Sequence, residues 1–220
     1  PSFDNLRIIR LPFGGNKFLA KEKLWPYLKE YVDAVAEFYD EEGSFPDFFS
    51  SHYGCGGLAG VLLKEKMQTP FSFTAHSFAA QKMDKLNFSK ENFNELIQRF
   101  KFHSQLIAER LAIKFSNQII VNTPQTIKKY YAHPYYQGTT DLEKNNKFSI
   151  IPPGVNTNLS NNKNMPDLIK KYLGNNLESN YTWEQTAKDY LKAIKKGLKL
   201  KIPVIHSKIP AYYFLPDSDN

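Results

Sequence analysis

The stretch TPFSFTAHSFAAQK, residues 69–82, runs from an aromatic and β-branched segment into an imidazole, a hydroxyl and an ammonium: His76, Ser77 and Lys82. An imidazole exchanges or donates a proton near neutral pH, and a hydroxyl beside an ammonium can hold an anionic oxygen. Lys17 and Lys21 follow a second expected strand end. Amino groups from two such loops either converge on a phosphate as point charges or remain ordinary surface lysines.

A second chemistry-bearing stretch, HYGCGGLAG (residues 52–60), leads from a strand into a helix. Glycines 54, 56 and 57 either expose backbone N–H groups to a ligand or permit tight strand-to-helix packing. The spacing is not a dinucleotide fingerprint, since no acidic residue follows roughly 20 positions later. Cys55 sits where a helix N-terminus favours a thiolate, but Tyr53 occupies a position that a nucleophile elbow reserves for glycine. A small residue filling a tight turn is the preferred reading. His52, His76 and His103 lack the spacing of a zinc helix and have no second cysteine near them, so no metal is expected. His133 and His206 lie in polar, proline-flanked segments and are expected to be exposed. Arg99, His103, Glu109 and Arg110 fall on one long helical pattern, where a solvated polar face is the simplest expectation.

The elements that position these groups alternate. Strands are expected at residues 6–11, 47–52, 71–76, 118–123 and 147–152, and helices at 22–41, 56–67, 90–115 and 124–132. Several strands are apolar on both faces, as parallel strands covered by helices are, which predicts an α/β fold with a doubly wound, mostly parallel, Rossmann-like sheet. Ligands bind such sheets beyond the carboxyl ends of the strands, and His76 and Ser77 lie on that rim. After Val155 an Asn-rich linker and a short helix with Pro166 in its first turn lead to TWEQTAKDYLKAIKKGL, residues 182–198. There Thr182 and Gln185 form a capping box, and Trp183, Ala187, Tyr190, Leu191 and Ile194 are expected to make the buried face. The tail with Pro203, Pro210 and Pro216 is expected to be extended.

The 220 residues carry a formal charge of +7, and only four of the 29 basic residues are arginine. The lysines are spread along helices, so an anionic small molecule is expected rather than nucleic acid, whose readers favour arginine. No apolar run approaches the roughly 20 residues of a membrane span, and the N-terminus lacks a signal-peptide pattern. With one cysteine no internal disulfide forms, and the expectation is a cytoplasmic protein.

Taken in order, LPFGG-x-KF-x-x-K, HY-x-x-GGLAGVLL, PF-x-FTAHS-x-x-x-QK-x-x-KL, AER, VNTPQ and IPPGVN resemble the N-terminal half of the sucrose-phosphate synthase family, retaining glycosyltransferases of the two-Rossmann-domain (GT-B) class. YTWEQTAKDYL (residues 181–191) is similar to that family's C-terminal helix. The resemblance implies transfer of glucose from UDP-glucose to fructose 6-phosphate without metal or other cofactor. His76 would face the donor glucose as the catalytic-site residue. Lys21, Tyr53, Ser77 and Lys82 would line the sugar phosphate, joined by Gln105 at one position of the family's arginine pair. Nucleic acid and membrane are not expected partners, whereas a donor-domain chain is a conceivable one.

The departures are specific. The family carries Asp at Cys55, Gly at Ala79, an arginine pair at Ser104 and Gln105, and Glu at Thr126. Each arginine lost from a phosphate site removes a charge-assisted hydrogen bond of about 1.5–3 kcal/mol. A leading strand with its GGQ loop and a donor domain between Leu177 and Tyr181 are absent from these residues. The expected organisation is therefore an acceptor domain (1–158), a linker with a short helix (159–180), and a crossover helix with its tail (181–220) packing back on the first domain. The alternative reading is a non-catalytic module that binds sugar or pairs with another subunit.

Overall fold

The computed structural model describes residues 6–142, 146–154 and 182–200. Helix α1 is Leu28–Glu42, followed by strand β1 (Phe49–His52), α2 (Tyr53–Met67), β2 (Phe71–Thr74), α3 (Ala79–Lys85), α4 (Phe93–Phe100), α5 (Phe102–Phe115), β3 (Gln118–Val121), a short α6 (Pro124–Thr126), β4 (Phe148–Ile150) and α7 (Trp183–Lys199). The four strands form one parallel sheet in the order β1-β2-β3-β4, with His52 opposite Thr74 and Ile119 opposite Phe148. Parallel neighbours require crossover connections, which α2 and the α3–α5 group supply.

Strand alternation shows both faces covered. Phe71, Phe73, Ile119 and Val121 point into one core with Val61 of α2 and Ala112 and Ile113 of α5. Ile120 points the other way, against Ile151 and Ala193 of α7. This is the α/β sheet with helices on both sides that the apolar strands predicted. Phe71 and Phe73 are fully buried, each worth about 1.5–3 kcal/mol of transfer free energy. At Gly57 the packing is tight enough to exclude a side chain: a Cβ would lie 2.7 Å from the Phe73 ring and 2.8 Å from Ala112 Cβ. Gly57 is thus a packing glycine, whereas a Cβ on Gly56 would meet nothing within 4 Å.

Three expectations need correction. Residues 6–11 are not a strand: Leu6, Ile8 and Ile9 are exposed and pair with no neighbouring strand among the described residues, while Arg7 reaches Glu42 of α1 at 2.7 Å. A β-branched run without a pairing edge has no ladder to join. The single helix expected over 90–115 is two, broken at Lys101, whose backbone is left-handed (φ 50°). The break lets Leu96 and Phe102 close over Ala79 and Met83 while α5 turns Ala108 and Ala112 toward α2 and the sheet.

The third correction concerns α7. Thr182 caps it as expected, its hydroxyl accepting from Gln185 N–H at 3.1 Å. The buried stripe, however, is Thr186, Ala193 and Gly197; Trp183 is 60% and Leu191 57% exposed. The sheet face beneath carries Ser72, Thr74 and Gln118, and Gly197 approaches Gln118 and Phe48 so closely that a Cβ would lie 3.0 Å from each. Small residues permit that approach, and Thr186 donates to the Pro152 carbonyl at 3.0 Å. The expected segments 159–180 and 201–220, with Pro166, Pro203, Pro210 and Pro216, lie outside the described residues.

Candidate functional site

The polar residues meet at the carboxyl ends of β1 and β2. Strand β1 passes without a loop into α2, and the turn is made by Tyr53 with φ 60°. Strand β2 ends at Thr74, and His76 turns the chain with φ 56°. Left-handed backbone at a side-chain-bearing residue costs on the order of 1–3 kcal/mol and concentrates at functional rims. Here two such residues touch, the Tyr53 and His76 rings lying 4.7 Å apart.

A cavity of about 360 Å³ opens beside this turn, lined by Lys21, Tyr53, Ser77 and Gln105 together with His52 and Phe100. Four of the six expected site residues therefore share one cavity. Lys82 does not line it; its ammonium sits 3.6 Å above the Phe100 ring, and Arg99 stacks on the same ring at 5.2 Å. Burial, then the neighbouring charges of Lys21 and Arg99, pull Lys82 below the ordinary lysine value, with Glu22 opposing. An arriving anion would relieve that repulsion, so the rim is electrostatically suited to a phosphate. His76 lines a separate cavity of about 210 Å³ together with Thr74, Asn122, Thr126 and Tyr131. In that second cavity the Thr74 and Tyr131 hydroxyls are buried without a hydrogen-bond partner among the described residues. His76 Nε2 is 2.7 Å from His52 Nδ1, which ties the two rims together.

Beneath the first cavity lies a residue that sequence reasoning misplaced. Glu109 is not on a solvated face but fully buried. Its carboxylate accepts from the Ala79 N–H at 3.1 Å, from Gln105 Nε2 at 2.9 Å and from the Tyr136 hydroxyl. Burial pushes it up to about 7 against those three donors. The available signal was composition: Glu109 sits among Ala108, Ala112 and Ile113, which a solvated face would not hold. Gln105 is thus both a cavity wall and a ligand of Glu109, which limits how far its amide can swing toward a substrate.

Cys55 does not behave as a helix N-terminal thiolate. Burial raises its thiol to about 11, with Lys21 opposing only in part. A thiol that stays protonated near neutrality is a poor nucleophile. Of the other candidates, Lys17 is exposed and lines neither cavity, and His103 is exposed on α5. Arg110 leaves the site altogether, donating to the Tyr135 and Gln137 carbonyls. Among the described residues no group of three or more His, Cys, Asp or Glu is placed to hold a metal, and no helix is long and apolar enough to cross a membrane.

Comparison with known proteins agrees with the fold. The model of the sucrose synthase first GT-B domain matches residues 2–161. A probable sucrose-phosphate synthase of Thermosipho melanesiensis is 38% identical over an alignment of 220 residues, covering 96% of this chain and 49% of the relative. Spinach (Spinacia oleracea) sucrose-phosphate synthase is 30% identical over 141 residues, covering 56% of this chain and 13% of its own. The chain spans about half the length of the first of these relatives and far less of the plant protein. A solved sucrose-phosphate synthase from Thermosynechococcus elongatus superposes with a TM-score of 0.51 at 22% identity, over 69% of this chain and 33% of that one, a likeness of fold. With the parallel sheet, the rim of polar turns and a family model matched over most of the described residues, the chain belongs to the sucrose synthase family of GT-B glycosyltransferases, in the part that forms the first GT-B domain.

Proposed function

We propose that this chain is the acceptor-side half of a retaining glycosyltransferase that moves glucose from UDP-glucose to fructose 6-phosphate. The observation that carries the reading is the cavity where Lys21, Tyr53, Ser77 and Gln105 converge at the sheet's carboxyl rim, with the Lys82 ammonium beside it. Fructose 6-phosphate would lie there, its phosphate against the cations and Ser77. His76 would meet the donor glucose from the neighbouring cavity. Residues 1–158 would form the acceptor domain, 159–180 a linker and 181–220 the crossover helix and tail; the seat of α7 on the second face of the sheet supports the last assignment.

In the reaction the bond from glucose C1 to the UDP oxygen breaks, a bond from C1 to a fructose oxygen forms on the same face, and the proton of that fructose hydroxyl passes to the departing UDP phosphate. Stabilising the departing diphosphate is the dominant electrostatic task of such a transfer. No group among the described residues is placed for that task, so the 220 residues alone are expected not to turn over. Calorimetric titration with fructose 6-phosphate, fructose and UDP-glucose tests the binding reading: selective heat from the phosphate ester supports it, and equal silence from all three ends it. UDP release above the background rate from the isolated chain would overturn its expected inactivity.

A second reading, a non-catalytic module that binds sugar or a partner subunit, is favoured by one observation. Where the family carries arginines, this chain has Ser104 and Gln105, and the Gln105 amide is already bonded to Glu109 at 2.9 Å. A stable heteromeric complex in light scattering, with no sugar-phosphate binding, would select it.

A further inference from the structure

One polar atom of the first cavity's lining residues has no partner. The short turns Lys21–Lys23 and Trp25–Tyr27, which precede α1, bring Lys21, Glu22 and Trp25 to that cavity, where Gly54 of α2 and Gln105 of α5 also line it. Trp25 is 7% exposed and packs in the core with Leu28 and Leu58. Its ring lies among the cavity residues: a Cβ built on Gly54 would be 3.6 Å from Trp25 Cη2 and 3.5 Å from Gln105 Cγ. Trp25 Nε1 is buried and makes no hydrogen bond among the described residues. An indole nitrogen only donates, so what is missing is an acceptor. The cavity holds oxygens of its own on Glu22, Tyr53 and Ser77, and none of them takes this proton. Buried donors in folded proteins are nearly all paired, because an unmade bond forfeits hydration without return. A donor left open beside a polar cavity marks where an outside acceptor binds.

We infer that Trp25 is a further binding residue of the first cavity, its indole N–H donating to an oxygen of the sugar phosphate held there. That the ligand is a sugar phosphate rests on the proposed function; the need for an acceptor oxygen rests on the indole alone. The neighbouring charge agrees with an oxygen-rich anion. Lys21 reaches Glu22 only at 3.9 Å, a loose pair at an exposed ammonium, which leaves its charge available to a ligand. Trp25 is neutral and rooted in the core, so it adds direction where the lysine adds charge, holding one ligand oxygen to one position.

The test is ¹⁵N–¹H NMR of the 220-residue chain, titrated separately with fructose 6-phosphate, fructose and inorganic phosphate. The chain has two tryptophans and so two indole N–H signals, told apart with Trp183→Phe. Trp183 lines neither cavity and serves as the internal control. Fructose 6-phosphate is expected to move the Trp25 indole proton downfield, as a new hydrogen bond does, and to leave that of Trp183 in place. The same movement with inorganic phosphate puts the contact on the phosphate, and with fructose on the sugar. Trp25→Phe keeps an aromatic ring and removes the N–H, and should weaken fructose 6-phosphate binding about three- to tenfold by calorimetry, the loss of one hydrogen bond. If backbone amides of Tyr53 and Ser77 respond to fructose 6-phosphate while the Trp25 indole stays still, or if folded Trp25→Phe binds as tightly as the wild type, the inference is overturned and the proposed function stands. If no amide responds to fructose 6-phosphate, the proposed function fails; the indole contact then stands only if fructose or inorganic phosphate moves the Trp25 signal, and falls if neither does. Should Trp25→Phe not fold by its amide spectrum, the wild-type titration decides alone.

Discussion

Both carboxylate oxygens of Glu109 lie 3.1 Å from the backbone N–H of Ala79, the first residue of α3. A fully buried acid on α5 thereby satisfies an amide at the start of the helix that carries Lys82, one turn beyond Ser77. The same acid takes the Tyr136 hydroxyl, which in turn accepts from Ala80 N–H at 3.3 Å. Gln105, on the cavity wall, is its third donor. The position of the rim is thus fixed from below by one side chain whose partners come from three separate segments.

Glu109→Ala should accordingly destabilise the chain by about 3 kcal/mol, because it strands the buried Ala79 N–H and Tyr136 hydroxyl, each costing about 1–3 kcal/mol. A lower urea midpoint at unchanged slope is the expected signature. Glu109→Gln adds a pH test. The folded value of Glu109 is raised to about 7, above the unfolded carboxylate range, so the folded state binds the extra proton. Stability from this group is fully present below about pH 4.3, and it declines as pH rises through about 7. The wild type should therefore lose stability between pH 5 and 7.5 relative to Glu109→Gln, which has no proton to release. Parallel profiles would show that Glu109 does not titrate there.

The parallel sheet was legible because Phe71–Thr74 and Gln118–Val121 are short apolar runs bounded by turn residues, and the rim followed from the fold. Local signals failed where tertiary packing decided. Leu6–Leu11 has strand composition, but composition does not supply a neighbour. Lys101 is an ordinary helix former that the closure of Phe102 over α3 forces into a left-handed turn. The Trp183 and Leu191 stripe is the more apolar face of α7, yet the polar sheet surface accepts only the small Thr186, Ala193 and Gly197 closely. Glu109 escaped because its partners, Ala79 and Tyr136, are about 30 residues away in each direction and only the fold brings them together.

The two adjacent glycines of α2 should respond oppositely to alanine. Gly57→Ala places a Cβ within 3 Å of Phe73 and Ala112 and should cost about 1–3 kcal/mol by overpacking. Gly56→Ala meets open space inside a helix and should stabilise by roughly 0.5–1 kcal/mol. Thermal melts of the two variants give the comparison, and destabilisation by both would contradict the packing described for α2.

Cys55 should be slow toward iodoacetamide at pH 7.5. Burial raises its thiol to about 11, so the thiolate fraction is small and access is limited. Alkylation in the native chain is expected to be slower than that of free cysteine and to reach the free rate only on unfolding. Faster and selective labelling would revive a nucleophilic role for this residue.

If the rim binds a sugar phosphate, its two lysines should matter for the phosphate and not for the sugar. Lys21 lines the cavity, and Lys82 stands over Phe100 where burial and Lys21 already disfavour its charge. A phosphate dianion would offset that repulsion, and each charge-assisted hydrogen bond is worth about 1.5–3 kcal/mol, so Lys21→Met and Lys82→Met should each weaken fructose 6-phosphate binding by about tenfold or more. Lys82→Met keeps a side chain that can pack on the Phe100 ring, so folding should be unaffected. Binding of the wild type should also fall as salt rises, since the rim is exposed. Calorimetry over a salt series reads both effects. Equal losses for fructose and its phosphate would place the lysines against the sugar hydroxyls instead, and no loss in either variant would remove both from the site.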